Sequence, residues 1–282
     1  MRQRDHVGKK AGTANRNTKT PTKNRDGINL RDLARYSSEY LALPFERTLE
    51  GIRRRRVLRI VQGIADQHDL GSALEIGIGL SSLAPELPVK HVTVVEPLEW
   101  AVEQLSQCDQ SGPSLEVFCG TLEGFFALSQ GTGKSFTLVV ASSVLHEIPD
   151  VRAALSQVHH LLTEGGWLVL VVPNSNSLHR LVGVGLGLLS ALSDQTDTER
   201  KMQQSAARTE AEWTGLLKDA GFEVVASESF PLKPLDSAQM DSLHAAGRLT
   251  SEDIESLDRL ADVFEGFGAE LLLVCKKPSR CA

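Results

Sequence analysis

The sequence predicts an α/β domain, a seven-stranded doubly wound sheet with an N-terminal helical cap and an insertion after the fifth strand. Two observations predict it. Short apolar, mostly β-branched runs recur at residues 72–77, 91–96, 115–119, 136–141, 166–172, 222–229 and 269–276, with helical patterns between them. The first run ends in a glycine turn, Glu75-Ile76-Gly77-Ile78-Gly79, and the second ends in Glu96. At 282 residues and 41% hydrophobic, the chain can bury one substantial core plus an extra lobe.

Residues 1–27 combine Lys9, Lys10, Arg16, Lys19, Lys23 and Arg25 with Thr, Asn and Gly, a composition expected to be a disordered basic tail. The formal charge of −6 therefore hides a clearly acidic remainder, which argues against a nucleic-acid partner. Residues 28–69 read as the helical cap, with Tyr36, Tyr40, Phe45, Ile52, Val57, Ile60 and Val61 interleaved with charge. Within it, Arg53 to Arg56 read as a solvated helix face from which Tyr40 or one arginine reaches a ligand. Residues 70–282 form the main domain. Inside that domain, residues 178–205 interrupt the core as an expected lid: an apolar segment dotted with Gly183, Gly185 and Gly187, then charge from Asp194 to Lys201. Asp219-Ala220-Gly221-Phe222 ends a helix with a glycine cap and enters strand six. Residues 230–267 then form a helical elaboration, around 237–246 and 251–264, before the final strand.

No apolar run reaches the roughly 18 residues of a membrane span, and no apolar core follows the N-terminal charges, so a cytoplasmic protein without a membrane partner is expected. Cys108, Cys119, Cys275 and Cys281 are scattered without a Cys-x-x-Cys pair; reduced thiols and no metal site are expected.

The glycine turn and Glu96 carry the chemistry. Gly77 and Gly79 let the backbone approach a ligand closely, and a carboxylate at a strand's C-terminal end is placed to accept hydrogen bonds from both hydroxyls of a ribose. Ser82 stands where a dinucleotide fingerprint has its third glycine, which disfavours a pyrophosphate and hence a NAD-dependent oxidoreductase. Glu75, at the end of strand one, either helps receive an ammonium group or supports the turn as a satisfied acid.

Four signatures in order, Leu74–Gly79, Val94-Val95-Glu96-Pro97, Phe136–Glu147 and Leu161–Leu170, resemble class I S-adenosylmethionine-dependent methyltransferases over about residues 70–276. The resemblance implies a Rossmann-like methyltransferase sheet, S-adenosylmethionine as cofactor, and a cofactor site made of Glu75, Gly77, Gly79, Glu96, Pro97, Thr121, Leu122 and Ser142. The polar slot after strand three reads Gly120-Thr121-Leu122-Glu123, without the family's Asp. Methyl transfer to a hydroxyl needs a base, and the turns after strands four and five face the methyl once the first three hold cofactor. His146 and His179 are the candidate catalytic residues, with Asn174 and Arg180 available to orient a polar substrate. His159 and His160 read as structural. The expected reaction is transfer of methyl to an O or N atom of a small polar metabolite: a sugar, polysaccharide precursor or secondary metabolite. The alternatives are a protein or RNA methyltransferase and a catalytically silent, cofactor-binding subunit. Oligomeric state stays open.

Overall fold

Seven strands form one sheet in the order β3-β2-β1-β4-β5-β7-β6. In the computed structural model, which describes residues 33–43, 45–107, 112–130, 133–202 and 204–279, they are β1 (Ser72–Ile76), β2 (His91–Glu96), β3 (Ser114–Cys119), β4 (Phe136–Ser142), β5 (Leu162–Pro173), β6 (Glu223–Phe230) and β7 (Glu270–Lys276). The first five run parallel, and β7 enters antiparallel between β5 and β6. The order reverses between β1 and β4, so a crevice opens at the C-terminal ends of those strands.

The helices are α1 (Leu33–Leu41), α2 (Glu46–Ala65), α3 (Glu99–Ser106), α4 (Leu122–Ser129), α5 (Val151–Leu161), α6 (Leu178–Gly185), α7 (Asp197–Lys201), α8 (Glu210–Asp219), α9 (Ser237–Ala245) and α10 (Ser251–Ala261). Alternation along each strand divides the core in two. Ala73, Val92, Val94, Leu138, Val140, Val169 and Val171 pack with Ile52, Val57 and Val61 of α2, Ala101 of α3 and Ile254 of α10. On the other face, Leu74, Ile76, Val139, Leu168 and Leu170 meet Phe125 of α4, Leu155 and Val158 of α5 and Trp213 of α8. Full burial of such side chains contributes about 1.5–3 kcal/mol each, which fixes the strand faces.

The cap is two helices. Phe45 breaks it with φ 63°, a left-handed conformation rare outside glycine, and buries its ring in the core. The 230–267 segment carries α9 and α10, each begun by a capping box, Asp236 with Gln239 and Thr250 with Asp253. The stretch expected as a lid carries α6 and α7, and its loops are wired internally: Arg180 donates to Glu199 at 3.2 Å and to the carbonyls of Leu192 and Asp194. β5 starts at Leu162, earlier than the pattern predicts, because its pairing with β4 skips from Leu162 to Trp167 and the surplus residues bulge out around Gly165, at φ 75°. The basic stretch 1–27 and Cys108 and Cys281 lie outside the described residues.

Candidate functional site

The glycine turn after β1 forms the floor of a recess of about 290 Å³, open to solvent, that contains Glu75, Gly77, Gly79, Ser81 and Ser142 on the sheet side and Glu50, Arg53 and Arg54 on α2. Gly77 and Gly79 have φ of 76° and 66°, where a side chain is strained. A Cβ on Gly77 would stand 3.0 Å from Val144, and one on Gly79 would stand 3.3 Å from the Tyr40 hydroxyl. Ser143, directly after Ser142, also has a positive φ, 60°, and its N–H is held by the Val171 carbonyl at 2.9 Å. Such a conformation costs on the order of 1–3 kcal/mol and persists where surrounding bonds over-determine it.

Glu96 is buried and hinges the site. One carboxylate oxygen accepts the Ile78 N–H of the glycine turn at 2.8 Å, and the other accepts the Leu98 N–H at 2.7 Å. Burial raises its pKa, and the two backbone bonds work against that rise. Each carboxylate oxygen has two lone pairs and spends one on these bonds, so acceptor capacity is left on both. Glu75 is deeper. It accepts the Ser82 hydroxyl and the N–H groups of Leu83 at 2.7 Å and Ala84 at 3.1 Å, and burial pushes its carboxyl up to about 7. The turn-supporting role is thus present in the bonds, and the same carboxylate also lines the recess. The Ser at the third-glycine position closes this turn.

The remaining expected residues are spread along the crevice. Pro97 separates Glu96 from the Leu98 N–H that it accepts. Thr121 caps α4 by accepting the Gly124 N–H at 3.2 Å, and the Leu122 side chain is in the core, so the backbone is what Leu122 offers a ligand. Neither Glu96, these three nor the two candidate histidines line the recess itself; Glu96 stands behind it, bound to the Ile78 N–H of its floor. His146 is buried in a short 3-10 turn, Leu145–Glu147, one step beyond β4, and the loop before α8 holds that turn: Ser205 donates to the His146 carbonyl at 3.2 Å and Gln204 to Glu147 at 2.5 Å. His179 opens α6 after β5. Its Nδ1 is buried with no hydrogen-bond partner, and burial, then Lys233 and Arg180, hold its pKa well below the usual histidine value. His159 and His160 pack against Phe222 and Phe126, as structural residues do.

Two expectations need correction. Asn174 and Arg180 are not available to a substrate: the Asn174 amide donates to the Gly266 and Gly268 carbonyls at 2.9 and 2.8 Å, and Arg180 is spent inside the insertion. The arginine run is a solvated face only at Arg55, with Arg54 half-buried. Arg53 and Arg56 are buried, Arg53 making a two-bond pair with Glu270 at 2.9 and 2.6 Å and Arg56 meeting Asp258 at 2.9 Å. Their positions i and i+3 on α2 carry no sign of partners about two hundred residues away. Sequence reasoning also missed Glu50, which accepts the Ser81 N–H at 2.7 Å and fastens the cap to the glycine turn.

The crevice at the sheet reversal, the positive-φ glycines and an acid holding the second strand's end define a class I S-adenosylmethionine-dependent methyltransferase. The chain belongs to the methyltransferase domain family, whose model matches residues 49–227. In fold it is similar to the N-methyltransferase NodS from Bradyrhizobium japonicum WM9 in complex with S-adenosyl-L-homocysteine, at 18% identity and TM-score 0.51 over 91% of this chain and 94% of that one. The plantazolicin methyltransferase BpumL, also in complex with S-adenosylhomocysteine, matches at 16% identity and TM-score 0.51 over 88% of this chain and 90% of that one. A stretch of 93 residues is 37% identical to the reducing polyketide synthase Preu2 of Preussia isomera. That stretch is 32% of this chain and 4% of the synthase. Among the described residues, no helix is long and apolar enough to cross a membrane.

Proposed function

We propose that this chain methylates an O or N atom of a small polar metabolite, with Glu96, Glu75, Gly77, Gly79, Pro97, Thr121, Leu122 and Ser142 holding the cofactor. The observation that carries the cofactor part is the Glu96 carboxylate, buried at the mouth of the turn with acceptor capacity left on both oxygens. The donor set fits S-adenosylmethionine: a floor without side chains for the methionine moiety, carboxylates for its cationic groups, and an acceptor pair for the ribose. Bound there, the cofactor supplies a methyl group already activated on a sulfonium.

The chain's own residues then have two tasks. They hold the acceptor atom in line with the transferable methyl, and for a hydroxyl or ammonium they take its proton. His146 and His179 stand at the ends of β4 and β5, on the side left open once the first three turns hold cofactor. The Nδ1 of His179 is buried with no hydrogen-bond partner among the described residues. Alanine at the histidine that serves as base lowers turnover about 10²–10⁴-fold with cofactor affinity kept. Unchanged turnover in both variants means that positioning alone drives the transfer and the base assignment fails.

A second reading, a polyketide acceptor, draws on the stretch shared with Preu2 and on Leu186 and Leu188 of the insertion, which are 66% and 69% exposed. Release of S-adenosylhomocysteine, followed across amine, hydroxyl and ketide acceptors, separates the two. Cofactor binding without turnover on any of them, or turnover on protein or RNA alone, refutes the small-molecule reading.

A further inference from the structure

The charged side chains that line the recess are Arg53, Arg54 and Glu50 from α2 and Glu75 from β1, and their formal balance hides how that charge is spent. Both arginines are matched by acids outside the recess lining. Arg53 donates to both oxygens of Glu270 and, at 3.2 Å, to Glu46, while Arg54 donates to Glu86 and, at 2.7 Å, to the Ser82 carbonyl. Neither acid makes an ion pair among the described residues. Glu75 accepts from the Ser82 hydroxyl and the Leu83 and Ala84 N–H groups, and Glu50 accepts the Ser81 N–H at 2.7 Å and the Ser81 hydroxyl at 3.2 Å. A partly desolvated carboxylate held by neutral donors alone gains most from a cation that enters beside it. Burial raises the pKa of both carboxyls, against hydrogen bonds that lower it.

The two acids differ in what they have left to offer. Glu75 is 2% exposed and spends its oxygens on three donors of its own turn. Glu50 is half-buried, and both of its bonds to Ser81 fall on Oε1, so Oε2 keeps lone pairs for a ligand. It also stands over the bare floor: a Cβ on Gly79 would lie 3.5 Å from Glu50 Oε1. We propose that Glu50 receives the ammonium of the cofactor's amino-acid end, so that the cap helix, and not the sheet alone, selects the methionine moiety. This rests on the reading of the recess as a S-adenosylmethionine site. The ammonium is the better match of the cofactor's two cations, because it brings N–H donors to an open acceptor, whereas a sulfonium has none. Glu75 contributes its charge from deeper in the recess. The bound cofactor then bridges α2 to the glycine turn, beside the bond that Glu50 already makes to Ser81.

The test is a two-by-two calorimetric titration of the full chain. The ligands are S-adenosylhomocysteine, which carries no sulfonium, and its deamino analogue, in which hydrogen replaces the α-amino group; the proteins are the wild type and Glu50→Gln, which keeps an acceptor for Ser81 but no charge. In the wild type, S-adenosylhomocysteine binds about 10- to 150-fold tighter than the analogue, as one charge-assisted bond requires. In Glu50→Gln that ratio falls to within about threefold, and the analogue binds no more weakly than it does to the wild type. A wild-type ratio within twofold overturns the proposal whether or not the variant folds. So does an unchanged ratio in a folded Glu50→Gln, and so does an equal loss of both ligands, which places the effect in the turn and not in the ammonium. A wild type that binds neither ligand refutes the cofactor reading itself, whereas one that binds both equally leaves that reading standing and removes only the ammonium contact.

Discussion

Replacing Glu96 by Gln isolates the carboxylate's part in cofactor binding. In the wild type its two oxygens accept the N–H groups of Ile78 and Leu98 at 2.8 and 2.7 Å, in a setting 4% exposed to solvent. Ala would leave both donors buried and unpaired at about 1–3 kcal/mol each and would release the glycine turn, so loss of binding would say little. Gln keeps the shape and one acceptor oxygen, and sets its amide nitrogen against the other N–H. The expected cost to stability is therefore one orphaned donor, about 1–3 kcal/mol. A ribose hydroxyl loses a charge-assisted bond of about 1.5–3 kcal/mol, which weakens affinity about 10- to 150-fold. Calorimetric titration with S-adenosylhomocysteine, which does not turn over, reads the affinity, and thermal unfolding of the same sample reads the fold. A folded Glu96→Gln that binds within twofold of wild type refutes the ribose assignment.

Glu75 makes binding pH-dependent: its folded-state pKa of about 7 exceeds the ordinary 4.5, so the folded chain holds an extra proton between those values and loses stability as pH rises through that window. A bound ammonium favours the carboxylate, so affinity for S-adenosylhomocysteine rises from pH 5 to 8 and binding at pH 6 releases a proton; calorimetry in two buffers of different ionisation enthalpy that finds no release refutes this. Arg53→Met strands the half-buried Glu46 and the buried Glu270, an expected loss of about 3–5 kcal/mol in urea unfolding, and a loss under about 1 kcal/mol removes the pair from the contacts that hold the cap. Gly79→Ala adds a methyl 3.3 Å from the Tyr40 hydroxyl at φ 66° and lowers both the melting temperature and the cofactor affinity; unchanged values of both show that the turn tolerates a side chain.

The sheet was legible because strands buried on both faces leave continuous β-branched runs, and six of the seven expected strands lie within about a residue of the observed ones at each end. The fifth differs at its start, where Gly165 lets surplus residues bulge without breaking the apolar run. Glycines announce a turn that needs positive φ, and Gly77 and Gly79 adopt it; an acid closing a strand announces a polar anchor, and Glu75 and Glu96 hold backbone N–H groups there. Ser143 adopts a positive φ with no residue type to signal it. Nor does local pattern reveal whether a polar side chain is already spent. Asn174 and Arg180 resemble substrate contacts until the carbonyls of Gly266, Gly268, Leu192 and Asp194 are seen to hold them. Arg53 and Arg56 fail the same way: a helix with four consecutive arginines looks solvated until their acids arrive from β7 and α10.

Those arginines also tie the cap to the last part of the chain to be synthesised. As the chain emerges during synthesis, the cap and the first five strands come out while Asp258 and Glu270, the counter-charges of Arg56 and Arg53, are 202 and 217 residues behind them. Until they arrive, burying α2 would leave Arg53 with Glu46 alone and Arg56 without Asp258, and β5 presents an open edge where β7 will pair. β7, paired between β5 and β6, supplies both the missing strand and Glu270, which completes the ion pairs of Arg53. Since Glu50, Arg53 and Arg54 form one wall of the recess, that wall is finished only when the sheet is. A chain with only its glycine turn made has the floor of the recess without its α2 wall, and the wall's ion pairs need the last strand.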